Sequence, residues 1–230
     1  MKILLRLAAA LLTFQALATW AGDGLPSQKE YEPKSGKGRV VVLVSGQTGP
    51  SNYTELAKGI ADAGYYVVLV DGNDFWIKGG GGESLLQGVI KRAQDSPHAL
   101  AGKVGVIGCS LGGASVLTYA ARMPDAVGAV VAQYPLTSFI ADPPGFVGKI
   151  QVPTLLLAGT FDNYKGCCLI AKARELDSAA NAVPGPRLLE VHEYPGVDHG
   201  FSTDTSKRRD IMSDSLNRTT AHFHRYLADN

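Results

Sequence analysis

The chain has 230 residues, of which 45% are hydrophobic and 19% charged; Lys and Arg (22) almost cancel Asp and Glu (21), for a net charge of +1. That composition excludes general disorder, and the charge balance gives no global pull toward nucleic acid or an anionic membrane. Three cysteines are too few for a disulfide scaffold and show no zinc-ligand spacing.

The N-terminus reads as a separate segment. Lys2 and Arg6 precede an apolar run at 7–18 broken only by Thr13 and Gln15, and small residues follow at Ala16, Ala18 and Ala21. This is the pattern of a secretory signal peptide, residues 1–21, with Ala18 the other candidate cleavage point. The run falls short of the ~20 residues of a membrane span, and no cysteine stands near the cleavage region to carry a lipid. The expected product is an exported protein, periplasmic or secreted, without stable membrane association. Residues 22–230 are expected to form a single domain, with 22–38, rich in Gly, Pro, Ser and Lys, as a loosely ordered lead-in.

From Arg39 onward, apolar β-branched runs alternate with helical patterns. The runs lie at 40–44, 66–70, 104–107, 127–132, 152–157 and 188–191 and carry few charges, as expected of strands covered on both faces. Asn52, with Glu55 three residues later, resembles a capping box, and Gly64 marks the stop of that helix. Leu56, Ala57, Ile60 and Ala61 form its apolar stripe. Leu85, Leu86, Val89, Ile90 and Ala93 form the next. A third helix is expected from about 111 to 122, stopped by Pro124, and a fourth near 170–180. The last carries Met212, Leu216, Phe223 and Leu227, with Thr219 and Thr220 in the gap. Six strands alternating with helices predict an α/β fold: a doubly wound, mostly parallel sheet of about six strands with helices on both faces. A run of four glycines at 79–82 reads as a flexible connection or a mobile loop beside a site.

The chemistry concentrates in Gly108-Cys109-Ser110-Leu111-Gly112. A strand ends, a G-x-S-x-G turn follows, and a helix begins, which is the context of a nucleophile elbow. The serine sits on a sharp turn, so the residues two before and two after it must be small. Gly108 and Gly112 meet that need. A serine hydroxyl also requires a base, and the base an orienting acid. Asp162 follows the apolar run at 152–157 and so falls at the carboxyl end of a strand, on the same rim as Ser110. Asp142, before Pro143-Pro144, is a weaker rival. His199 is the best base of five histidines, in a loop between the last strand and the last helix; His192, His98, His222 and His224 lie in a strand, an earlier loop and the last helix. An oxyanion hole needs two backbone donors: Leu111, after the nucleophile, and Gln47 in the glycine turn after the first strand, with Thr48 as second choice. Trp76, Tyr134, Phe139 and Phe201 are candidate pocket residues, core packing accounting for at least half of them. Adjacent Cys167 and Cys168 read as two free or partly oxidised thiols, because a disulfide between neighbours is rare.

With these residues in place the chain resembles the α/β-hydrolase superfamily, and most closely the dienelactone hydrolase family, over about residues 39–227. The resemblance rests on the elbow at 108–113, the 159–162 segment, and Asp198-His199-Gly200-Phe201. It implies an α/β-hydrolase fold; the brief lead-in, with little room for an antiparallel strand pair before Arg39, and the lack of a long insertion predict a minimal form of it without a lid domain. The namesake enzymes carry cysteine at the nucleophile position, where this chain has Ser110. Cys109 in a shifted register would need small residues at Ile107 and Leu111, so it is expected to pack beneath the turn. The expected activity is a serine esterase cleaving a small-molecule carboxylic ester or lactone through Ser110, His199 and Asp162, with no metal and no cofactor. Alternatives are an acyltransferase or small peptidase using the same triad, or a non-catalytic exported binding protein. The sequence sets no oligomeric state.

Overall fold

In the computed structural model, which describes residues 24–76, 81–202 and 204–227, every apolar run overlaps a strand of one sheet. The expected signal peptide, and Gly79 and Gly80 of the glycine run, lie outside the described residues. The elements in chain order are β1 (Gln28–Tyr31), β2 (Gly38–Val44), α1 (Thr54–Asp62), β3 (Tyr66–Val70), α2 (Gly82–Gln94), β4 (Ala99–Cys109), α3 (Leu111–Thr118), β5 (Val127–Gln133), α4 (Pro143–Val147), β6 (Thr154–Gly159), α5 (Ile170–Ala182), β7 (Leu189–Tyr194) and α6 (Thr205–Leu227). The strand order is β1-β3-β2-β4-β5-β6-β7. Among the strand pairings of the described residues only β1–β3 is antiparallel.

The runs are continuously apolar because both faces of the sheet are covered. Val42, Val68, Val106 and Val130 face one core with Leu86, Val89, Val116 and Leu176 of α2, α3 and α5. Val41, Leu43, Ile107 and Val131 face the other with Ala57, Ile60, Phe223 and Leu227 of α1 and α6. After β2 the chain turns to one side to form β3. It then crosses back over β2 to form β4. Beyond the carboxyl ends of β2 and β4 the loops therefore part in opposite directions, and open α/β sheets keep their ligand crevice there.

Four features differ from the sequence expectation. The lead-in supplies a strand, β1, and the sheet has seven. It shows no apolar run because it is an edge strand whose polar side chains are tethered: Arg92 Nε donates to Gln28 Oε1 (2.7 Å) and the Tyr66 hydroxyl to Glu30 Oε2 (2.6 Å). The capping box at Asn52 does not form. Gly49 (φ 84°) and Pro50 start a 3-10 turn ahead of α1, Tyr53 takes the cap position without a side-chain bond, and Glu55 pairs with Lys58. Met212 is 39% exposed, whereas Ser215 and Thr219 of α6 are buried. Gln133 Nε2, at the buried end of β5, donates to Thr219 Oγ1 (3.2 Å), so a polar requirement sets that part of the helix face. Finally, Cys167 and Cys168 are joined in a disulfide.

Candidate active site

Ser110 sits at the tip of β4 with φ 52° and ψ −112°, outside the regions an L-residue favours. The turn is held from both sides. Ser110 N–H donates to Gln133 O (3.0 Å), and Ser110 O accepts from Leu136 N–H (2.9 Å) and Ala114 N–H (3.1 Å). A Cβ on Gly108 would meet Gly112 O at 2.2 Å, and one on Gly112 would meet Val44 O at 2.3 Å and Ser45 O at 2.4 Å.

The loops carrying Asp162 and His199 are laced to each other. Thr160 N–H donates to Tyr194 O (3.0 Å), Phe161 N–H to Val197 O (2.9 Å), and Gly196 N–H to Thr160 Oγ1 (2.8 Å). Gly159 has no room for a side chain, since its Cβ would meet Val197 O at 2.2 Å. The His-Gly-Phe run works as an anchor and a swivel. Phe201 is fully buried, edge-on to Tyr134 (4.8 Å) and Tyr194 (5.1 Å). Gly200 takes φ 66°, and His199 turns back toward β4.

The three side chains thereby fall into line. His199 Nδ1 lies 2.8 Å from Asp162 Oδ2, and His199 Nε2 lies 3.0 Å from Ser110 Oγ. The Asp162 side chain is 1% exposed and His199 17%. An ionised carboxylate so placed accepts the Nδ1 proton and leaves Nε2 free to accept from the hydroxyl. Asp142 is elsewhere, capping α4 by accepting from Gly145 N–H (3.1 Å). His98 bonds Gly36 O, and His222 bonds Pro153 O.

Gln47 and Leu111 line a cavity with Ser110. Leu111 is the first residue of α3, so its N–H has no acceptor within the helix. Gly46 O accepts from Gly49 N–H (3.0 Å) and Ser45 Oγ (3.1 Å). In a planar trans peptide that fixes the opposite direction for the Gln47 N–H. Gln47 O is held in turn by Asn73 Nδ2 (3.1 Å), which also bonds Asp71.

Two cavities meet at Ser110. One of about 430 Å³ is walled by Asn73, Trp76, Leu136, Lys165 and Cys167. The other, about 210 Å³, is walled by Thr48, Tyr53, Tyr134, His199 and Gly200. Of the aromatic candidates, Trp76 and Tyr134 reach these walls, Phe139 packs edge-on against Trp76 (5.2 Å), and Phe201 belongs to the core. Beneath the smaller cavity lies a buried hydroxyl and thiol network. Tyr134 is hydrogen-bonded to Tyr53 and Cys109, and Tyr53 also to Thr48 and the Gly46 backbone. Burial pushes the Cys109 thiol and the Tyr53 hydroxyl up to about 12 each, and Tyr134 well above the usual phenol range. Cys109 is fully buried, and that burial disfavours the thiolate form a sulfur nucleophile requires.

Sequence reasoning missed Tyr164, whose ring stacks on the His199 imidazole (centroids 4.6 Å apart, planes 11° apart). It also missed Asn73 and the cavity wall at Cys167. None carries a local motif: each is defined by what it meets across the rim. Cys167, Cys168 and His199 are the one group among the described residues with metal-ligand atoms closely clustered, all within 4.8 Å, but the two sulfurs are bonded to each other.

A family model described as "Dienelactone hydrolase family" matches residues 81–227. The chain belongs to the dienelactone hydrolase family. Family membership makes it a hydrolase of the α/β type, and the architecture agrees. The structure is similar to Est1E from Butyrivibrio proteoclasticus (TM-score 0.65, 15% identity, covering 87% of this chain and 97% of that one). It is also similar to a putative dienelactone hydrolase from Klebsiella pneumoniae (0.67, 21%, 86% and 92%) and to a monoacylglycerol lipase from Paleococcus ferrophilus (0.63, 18%, 86% and 99%). At these identities the likeness is one of fold. No curated protein sequence gives a significant match. Within the dienelactone hydrolase family this chain is a member with serine at the elbow.

Proposed function

We propose that this protein is a serine esterase that cleaves a carboxylic ester or lactone by way of an acyl-enzyme. The observation that carries the reading is the continuous line from Asp162 through His199 to Ser110, with both contacts at hydrogen-bond distance. In the first half-reaction Ser110 Oγ attacks the carbonyl carbon while His199 Nε2 takes its proton. The Asp162 carboxylate holds the ring in the Nδ1–H form and stabilises the imidazolium. The oxyanion is met by the N–H groups of Leu111 and Gln47, donors set in place before the charge develops. His199 then gives its proton to the leaving alkoxide. Water, deprotonated by the same nitrogen, attacks the acyl carbon, and Ser110 leaves with the proton restored.

The leaving oxygen must face His199, so the alcohol part belongs in the smaller cavity and the acyl part in the larger, beside Trp76 and Leu136. Export is part of the proposal. It is supported by Lys2, Arg6 and the apolar run that follows, and it would place the Cys167–Cys168 bond in an oxidising compartment.

A panel of p-nitrophenyl esters and lactones, assayed beside Ser110→Ala, tests the reading. The variant should lose several powers of ten in turnover, within the ~10⁶ span seen for whole triads. A fluorophosphonate should label Ser110 in the parent alone. Hydrolysis by Ser110→Ala at near-parental rate would end it.

A further inference from the structure

Between Asp162 and α5 the chain folds over the site and ties three of its parts together. Tyr164 N–H donates to Asp162 Oδ1 (3.2 Å), while the Tyr164 ring lies flat on His199. Cys167 N–H donates to Tyr164 O (2.9 Å). Cys167 O accepts from both Thr137 N–H (2.9 Å) and Ser138 N–H (3.0 Å), in the segment that leads away from the elbow's other flank. Between these anchors Lys165 and Gly166 take successive left-handed conformations, φ 49° and 66°. A non-glycine residue adopts that conformation when its surroundings impose it. What brackets the turn is the Asp162–Tyr164 bond on one side and the bonded cysteine pair on the other. Cys168 is buried, whereas Cys167 is only partly so and walls the larger cavity. Both sulfurs lie within 4.8 Å of a His199 ring nitrogen.

We propose that the Cys167–Cys168 disulfide is a thiol-sensitive positioning element of the hydrolytic site, holding Tyr164 against His199 so that a dithiol reductant lowers turnover. It rests on the reading of His199 as general base. In the chemical step a thiolate of the reductant attacks the accessible Cys167 sulfur, the S–S bond breaks, and the pair of electrons goes to Cys168, which takes a proton. The second thiol of the reductant then displaces Cys167. Two protein thiols and one oxidised, disulfide-form reductant result. Opening the ring formed by the two cysteines releases the backbone that fixes the Cys167 carbonyl on Thr137 and Ser138. The turn at 164–166 loses one of its two brackets, and the imidazole loses one of the two rings that confine it, with Tyr134 left edge-on to it (5.1 Å). Misplacement of a catalytic group by an ångström can cost ~10²-fold. We therefore expect kcat to fall about ten- to a hundredfold on reduction, with a smaller change in KM for a short acyl ester.

The experiment is p-nitrophenyl acetate hydrolysis by the full mature protein before and after anaerobic dithiothreitol, and again after reoxidation. EDTA is present throughout, because two freed thiols beside an imidazole are a ligand set for zinc. Quenched samples are alkylated and mapped by mass spectrometry, and each state is melted. The expected result is a reversible fall in kcat that tracks labelling of Cys167 and Cys168 while the protein remains folded at the assay temperature. The Cys167→Ser/Cys168→Ser double variant should start at the reduced protein's low kcat and not respond to reductant. Tyr164→Leu should reproduce that low kcat, and Tyr164→Phe, which keeps the stacked ring, should recover most of it. Free thiols at 167 and 168 in the protein as isolated would overturn the proposal. So would unchanged kcat on reduction, or a fall explained by unfolding. Failure of the triad reading is separately visible, as an active Ser110→Ala in the oxidised protein.

Discussion

Asp162→Asn is the sharpest perturbation of the site, because the surroundings dictate which way the new amide must face. Asp162 Oδ1 accepts the Tyr164 N–H at 3.2 Å, and Oδ2 faces His199 Nδ1 at 2.8 Å. Asparagine has one oxygen to offer, and the fixed backbone donor at Tyr164 claims it. The NH₂ group is then turned toward His199, so Nδ1 must accept and the ring must carry its proton on Nε2. In that tautomer the imidazole cannot take the Ser110 proton, although every heavy atom stays in place. The loss should be on the order of 10⁴ in kcat, or ~5.4 kcal/mol at about 1.36 kcal/mol per factor of ten. KM should move little, since no substrate-contacting atom changes. Initial rates on p-nitrophenyl acetate decide the matter, with Asp198→Asn as control. Asp198 Oδ1 accepts the backbone N–H of His199 at 2.7 Å, a bond that an asparagine oxygen can also make, so this control should stay within tenfold of the parent. An Asp162→Asn protein that keeps a tenth or more of the parental kcat would refute the assignment of the orienting carboxylate.

Trp76→Ala should raise KM for long or aromatic acyl chains about tenfold, from roughly 1–2 kcal/mol of lost apolar contact, while sparing acetate; an unchanged chain-length profile would remove the acyl group from the larger cavity. Gly112→Ala drives a methyl against the carbonyl oxygens of Val44 and Ser45, and should cost about 1–3 kcal/mol or more in stability, read as a lowered urea midpoint; a parental midpoint would contradict the packing described for the elbow. Burial lowers the His222 imidazole below its ordinary 6.5. Its neutral form in the folded state thus contributes stability above pH 6.5 that is lost as the pH falls below it, where the unfolded chain takes up the proton first. His222→Gln should flatten the fall in unfolding free energy between pH 6.5 and 5, leaving a smaller slope from His192, whose imidazole is also lowered by burial; equal slopes in parent and variant would reject this origin.

The sheet was legible because strands buried on both faces announce themselves as unbroken β-branched runs, and 66–70 coincides with β3 to the residue. The edge strand β1 was not, because a strand with one partner and a row of tethered polar groups has no such run. The α6 face was misread at Met212 for a related reason. Hydrophobic spacing assumes that burial follows apolarity, and here Gln133 draws Thr219 inward. Within the site, Ser110, Asp162 and His199 stand at strand ends, where a parallel sheet gathers its loops on one rim. That placement could be reasoned from order along the chain. Tyr164 could not, since its ring meets His199 across the rim, next to two left-handed residues and a bond between neighbouring cysteines that the sequence reading argued against. The tyrosine network under the elbow escaped notice as well. Tyr53 reaches Gly46 only because that position lacks a Cβ, which would stand 2.3 Å from the Tyr53 hydroxyl oxygen.

The choice of serine over the neighbouring cysteine follows from the same close packing. Successive residues of a strand point to opposite faces, so at the end of β4 either residue 109 or residue 110 can stand at the turn, but not both. Standing there requires that the positions two before and two after come within backbone contact of one another and of β2. Gly108 and Gly112 do so, at separations where even a methyl would collide. Moving the turn back by one would put Ile107 and Leu111 in those places, a far larger intrusion against the Val44 and Ser45 carbonyls. Cys109 is consequently committed to the covered face, among Tyr53, Tyr134 and Gln133, where burial keeps its thiol protonated. The backbone thus allots the exposed position before any side-chain chemistry is weighed, and in this register it goes to the hydroxyl of Ser110 rather than to the thiol of Cys109.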